Sequence, residues 1–150
     1  MTSFLAVYLY LFLQICCQIV PSVALSQRGV GVPGGAETAV HETRRWVTSM
    51  PTDCTLVKLY FTNAFNTLRR DSLLEAVARD IPELYSFAHA SYSCRPISRH
   101  GSSVIRSEEE TQQGDPMGPL EFCIALQPIL SKMNSELRVA FLDDLTLGGR

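Results

Sequence analysis

The stretch Val139-Ala140-Phe141-Leu142-Asp143-Asp144-Leu145-Thr146-Leu147-Gly148-Gly149 decides how this chain is read. An apolar run ends on two adjacent acids, and a second apolar run leaves them. Asp favours turns because its side chain bonds to nearby backbone, so the stretch predicts a hairpin with strands over 138–142 and 145–147. Taken alone, the acids read as ordinary turn formers. They are also hard oxygen ligands of the kind that Mg²⁺ selects.

Two blocks upstream bear on that choice. Gln113-Gly114-Asp115-Pro116-Met117-Gly118-Pro119-Leu120 is a polar turn leading into a helix, with Pro116 fit for its first position. Leu56-Val57-Lys58-Leu59-Tyr60-Phe61 is an apolar run of strand length, and Asn63-Ala64-Phe65-Asn66 turns out of it. Between and around them the punctuation is clear. Ala36 to Met50 has helical spacing and stops at Pro51, Asp71 can cap a helix through Ala78, and Pro82 opens another that runs to about Tyr92. Ser102 to Ser107 reads as a strand and Glu108-Glu109-Glu110 as a solvated loop. A long helix is expected from Pro116 to about Asn134, with Pro119 and Pro128 placed to bend or divide it. This order predicts an α+β fold, an antiparallel sheet with helices packed on one face.

The composition sets limits. A chain of 150 residues with 46% hydrophobic content is long enough for one domain with a real core. Its net charge of −2 supplies no overall basic field to hold a nucleic-acid backbone. The five cysteines, Cys16, Cys17, Cys54, Cys94 and Cys123, form no C-x-x-C pair, and His41, His89 and His100 sit at no zinc spacing. Scattered and odd in number, the cysteines fit a reduced intracellular protein better than a disulfide framework.

Phe4 to Leu25 carries no charged residue and is long enough to span a bilayer or to serve as a signal-peptide core. Ser22-Val23-Ala24 offers small residues at cleavage-site spacing, yet no Lys or Arg precedes the run. The expected division is therefore a hydrophobic leader over 1–27, either a signal, an anchor or an accidental junction, and a domain over 28–150. Gly29-Val30-Gly31-Val32-Pro33-Gly34 formally contains G-x-G-x-x-G, but Pro33 interrupts it and no short strand precedes it, so a dinucleotide site is not expected.

Taken together, the three blocks resemble the palm of a reverse transcriptase of the non-LTR retrotransposon kind, over about Arg28 to Arg150. In that family an acid-bearing strand, a Gln-Gly-Asp-Pro turn with its helix, and an aromatic-x-Asp-Asp hairpin follow in this order. The resemblance implies a polymerase-palm-like partial domain, the end of the fingers plus the palm without a thumb. It implies RNA-templated DNA synthesis on an RNA template and DNA primer with a dNTP, using Mg²⁺ or Mn²⁺. Asp143 would be the principal metal ligand and Asp144 a supporting one. Phe65 would pack under the sugar of the incoming nucleotide, and Gln113 and Gly114 would approach that nucleotide and the template base. Without the resemblance, Phe65 is an ordinary core residue and Gln113-Gly114 a polar turn.

One position departs from the family where it matters most. Tyr60 stands where the family carries the acid that binds both metals. A phenol with a reference pKa of about 10 stays protonated at neutral pH, whereas two-metal phosphoryl transfer needs carboxylates that bridge ions about 4 Å apart. The expectation is a palm that is catalytically impaired, with weak binding of metal and nucleic acid. Glu121 replaces an aliphatic residue of the family, so that helix face is expected to be looser or more exposed. Arg95, Arg99, His100 and Arg106 make a locally basic stretch, read as solvated surface. Two other expectations stay open: a binding domain without chemistry, and a small secreted or membrane-tethered protein carried by residues 4–25. The location is intracellular by domain type, or the secretory pathway or a membrane if the leader functions.

Overall fold

Three strands, one from the first half of the chain and two from its last fifteen residues, make the larger sheet. In the computed structural model, which describes residues 26–93, 97–100, 103–106, 115 and 117–150, the elements run α1 (Gly35–Ser49), β1 (Thr55–Tyr60), α2 (Ala64–Thr67), α3 (Arg70–Asp80), α4 (Pro82–Tyr92), β2 (Ile97–His100), β3 (Ser103–Arg106), α5 (Gly118–Lys132), β4 (Leu137–Phe141) and β5 (Asp144–Gly149). This is a mixed α+β structure. Residues 1–25 of the leader, Arg95, the Glu108–Glu110 run, Gln113 and Gly114 lie outside the described residues. Among the described residues no helix is long and apolar enough to cross a membrane.

Two compact units are present, one of residues up to 61 together with 127–150, the other of residues 62–126. In the first, the strands are antiparallel in the order β1-β5-β4. Side chains alternate between the faces of a strand and directly opposed residues share a face. The register therefore puts Tyr60, Asp144 and Phe141 on one face, with Lys58, Thr146 and Val139 beside them. Helix α1 covers that face. Its start follows Gly34, which is left-handed at φ 61°, and its end is set by Pro51, which holds Met50 extended at ψ 141°. The Trp46 ring lies against Gly148, where a Cβ would stand only 2.7 Å from ring carbons.

The opposite face is covered too. Leu145 and Ala140 are fully buried there, and Arg138 on the same face donates to the carbonyls of Leu130 (2.8 Å) and Met133 (2.9 Å) at the end of α5. The end of α5 thus meets the face opposite α1. The edge strand β1 stays exposed along its whole length.

In the second unit Pro82 opens α4 as the sequence predicts, and α3 and α4 bury Leu73, Val77, Leu84, Ala88 and Tyr92. Asp71 sits in the first turn of α3 rather than at its cap, which is Arg69. An acid in that turn still complements the helix dipole. The strand expected over Ser102 to Ser107 narrows to β3 and pairs with β2, which that expectation did not include. Pro119 falls in the first turn of α5, where a missing N–H costs nothing, and Pro128 lies inside a helix that continues through it.

Candidate functional site

The acidic hairpin is tight. Phe141 pairs with Asp144, leaving Leu142 and Asp143 as the connection. Leu142 takes the left-handed region at φ 54°, a conformation that costs an L-residue with a Cβ about 1–2 kcal/mol. It is held there from a distant part of the sequence. The Gln27 side chain, fully buried, donates from Nε2 to the Leu142 carbonyl and accepts the Leu142 N–H at Oε1, each at 2.9 Å. The backbone alongside it extends β4: Arg28 N–H donates to the Ala140 carbonyl and Ala140 N–H to the Ser26 carbonyl, both at 2.7 Å.

Around the acids the electrostatics are local. Asp144 opens β5, with Tyr60 as its register partner. Its Oδ1 lies 3.3 Å from Lys58 Nζ, the side chain two residues before Tyr60 and so on the same face. Both partners of this ion pair are well exposed. Phe61 N–H donates to the Asp143 carbonyl at 3.4 Å. The Asp143 carboxylate makes no ion pair among the described residues. Tyr60, 69% exposed, presents its ring to solvent beside the pair.

A two-ion centre does not fit these donors. Asp143 and Asp144 are two carboxylates, one already neutralised by Lys58, and Tyr60 offers a neutral phenol where a bridging acid is required. No group of three or more His, Cys, Asp or Glu that could hold a metal ion occurs among the described residues.

Phe65 belongs to the second unit. It lies in the single turn α2, entered through left-handed Asn63 (φ 53°). Its ring stacks on Phe122 at 4.3 Å between centroids and 24° between planes. Gln113 and Gly114 are outside the described residues, but Asp115 is placed. It caps α5: Oδ1 accepts the Met117 N–H at 2.9 Å, and its carbonyl accepts the Gly118 N–H at 3.1 Å. Its other carboxylate oxygen accepts the Tyr92 hydroxyl in a very short hydrogen bond. Asp115 therefore ties the end of α4 to the start of α5.

Glu121 overturns its expectation. The side chain is 0% exposed, on a helix face closed by Met117, Leu120 and Ile124 rather than loosened. Burial, with a contribution from the nearby Asp115 charge, pushes its carboxyl up to about 7. Among the described residues neither carboxylate oxygen has a hydrogen-bond partner. The Tyr92 hydroxyl lies near enough to favour the charged form slightly, but its proton goes to Asp115. The Arg70 guanidinium, also buried, lies 5.8 Å from the centre of the Tyr92 ring. Cys123 is enclosed as well, and burial pushes its thiol up to about 12, so it is an inert thiol.

Sequence reasoning did not single out Gln27 or Lys58, quoted Asp115 only within its turn block, and read Glu121 as loosening its helix face. Lys58 alone carried a readable signal, its spacing of two from Tyr60 along a strand. Compared with models of known protein families and with curated proteins, the chain matches none.

Proposed function

We propose that this chain is a reverse-transcriptase-like palm domain, of the non-LTR retrotransposon kind, that has lost two-metal nucleotidyl transfer. The observation that supports this reading is the register of the sheet. Tyr60 of the first block and Asp144 of the acidic hairpin, distant in sequence, are direct partners on one face. An acid at position 60 would join Asp143 and Asp144 in a three-carboxylate cluster of the kind that two-metal phosphoryl transfer uses. With Tyr60 in that place and Lys58 on Asp144, the ancestral reaction, attack of a primer 3′-hydroxyl on a dNTP over an RNA template, lacks its bridging ligand. On this reading Mg²⁺ or Mn²⁺ associates weakly, and template and primer bind weakly.

Primer extension tests the reading. The native chain is expected to extend an RNA-templated DNA primer no faster than an Asp143→Asn, Asp144→Asn double variant, in Mg²⁺ or Mn²⁺. The Tyr60→Asp chain is expected to bind Mn²⁺ more tightly than the native chain. Extension by the native chain that the double variant abolishes would overturn the loss of chemistry. A Mn²⁺ affinity that ignores all three acidic positions would overturn the palm reading itself.

A further inference from the structure

Helix α1 meets the sheet unevenly. At its C-terminal half Trp46 closes onto Gly148. At its N-terminal half the short side chains of Ala36 and Ala39 leave a cleft of about 360 Å³, walled by these alanines, Val40, Val139 and Phe141. Val40 is 47% exposed although it stands at this wall, so a body seated in the cleft removes its methyls from water. Thr43, Arg44, Lys58, Thr146 and Asp144 provide the polar groups of the lining.

The charges at that rim are unequal. Lys58 is already paired with Asp144, and Glu42, the nearby acid on α1, is paired with Arg28 at 2.9 Å. Arg44 makes no side-chain hydrogen bond or ion pair among the described residues. One cation is therefore left over beside an apolar hollow of ligand-binding size, since small-molecule sites run from about 300 to 1,000 Å³ with few polar groups. A guanidinium is a planar fork that matches a carboxylate with two parallel hydrogen bonds.

We infer that the cleft between α1 and the sheet binds a small amphipathic carboxylate, its apolar body against Ala39, Val40, Val139 and Phe141 and its head on Arg44. The site uses neither a metal nor the Asp143 carboxylate, although Asp144 of the same hairpin stands in its lining. The Lys58–Asp144 ion pair is part of the cleft's lining.

Sodium decanoate titrated into the full chain, followed by methyl NMR, tests the site. Saturable one-to-one shifts are expected at Ala36, Ala39, Val40 and Val139. Octanoate, two methylenes shorter, is expected to bind roughly tenfold more weakly, at about 0.8 kcal/mol per methylene. Arg44→Ala, a change on an exposed side chain, is expected to weaken decanoate about tenfold, the loss of a charge-assisted hydrogen bond. Uncharged decanol should bind native chain and variant alike. Shifts that do not saturate, shifts centred elsewhere, or an Arg44→Ala chain that binds decanoate as well as the native one would overturn the inference.

Discussion

Tyr60 and Asp144 are register partners across β1 and β5, and Lys58 reaches from the same face of β1 to the Asp144 carboxylate at 3.3 Å. Position 60 is thus the place on this strand from which an added acid would stand directly opposite Asp144. The Tyr60 ring is largely in solvent, so replacing it removes little packing. The identity of residue 60 bears on charge at the hairpin far more than on the core.

Tyr60→Asp should therefore separate the two effects. Without metal, like charges directly opposed on a sheet cost about 0.2–1 kcal/mol, which lowers the Tm of the variant slightly in EDTA. With Mn²⁺ the order should reverse, with a gain in affinity on the order of tenfold or more, as ligand changes around bound metals commonly produce. Thermal melts in EDTA and in Mn²⁺ read both. A variant whose Tm ignores Mn²⁺ would show that residue 60 lies out of ligand reach.

Gly148→Val should push Trp46 off the sheet, because a Cβ there meets the ring at 2.7 Å. Overpacking of this kind costs about 1–3 kcal/mol. Trp46 is the single tryptophan of the chain, so its fluorescence reports on this contact without interference. The expected result is a red-shifted emission and a lower urea midpoint. Unchanged emission would mean that the ring does not rest on Gly148.

Gln27→Ala removes both hydrogen bonds that hold Leu142, and leaves the half-buried Leu142 N–H and carbonyl without these partners. The expected loss is about 1–3 kcal/mol, at about 0.5–1.5 kcal/mol for each hydrogen bond lost. Leu142→Gly relieves the left-handed φ and should recover roughly 1 kcal/mol of it. Urea denaturation of the single and double variants measures both. If Leu142→Gly destabilises the Gln27→Ala chain further, the strain assigned to Leu142 is absent.

Glu121 gives a pH dependence whose direction follows from its raised value. From an ordinary 4.5 its carboxyl rises to about 7, so the folded chain keeps a proton that the unfolded chain has released. The stability it contributes is fully present below about 4.5 and is lost as pH rises through about 7. The total is on the order of 3 kcal/mol at about 1.4 kcal/mol per unit. Glu121→Gln should flatten this part of the curve and stabilise the chain at pH 8 relative to the native protein. Urea midpoints at pH 5 and pH 8 decide it, and a variant as pH-sensitive as the native chain would assign the effect to another group.

Local chemistry made some of this legible in the sequence. Pro82 fixed the start of α4, Pro51 the end of α1, and the apolar runs on either side of Asp143 and Asp144 gave β4 and β5. What stayed hidden depends on groups far apart in the chain. Nothing periodic marks Gln27, whose partner lies 115 positions away. Ile97–His100 is too short and polar to announce a strand and exists through its pairing with β3. Glu121 reads as a defect in an apolar helix, and only the packing of Met117, Leu120 and Ile124 around it decides that the acid stays inside. The covering of both sheet faces was unreadable for a similar reason: alternation along a strand says which residues share a face, not what lies on it.

The Gln27 clamp makes the hairpin hostage to proteolysis. A protease that cut before Ser26 would leave the clamp and its backbone pairing with Ala140 whole. A cut after Arg28 would sever Gln27 from the hairpin's own stretch of chain, and the acids more than a hundred residues downstream would lose the part that shapes their turn. Because Arg28 is itself hydrogen-bonded to Ala140, that cut requires the segment to open first.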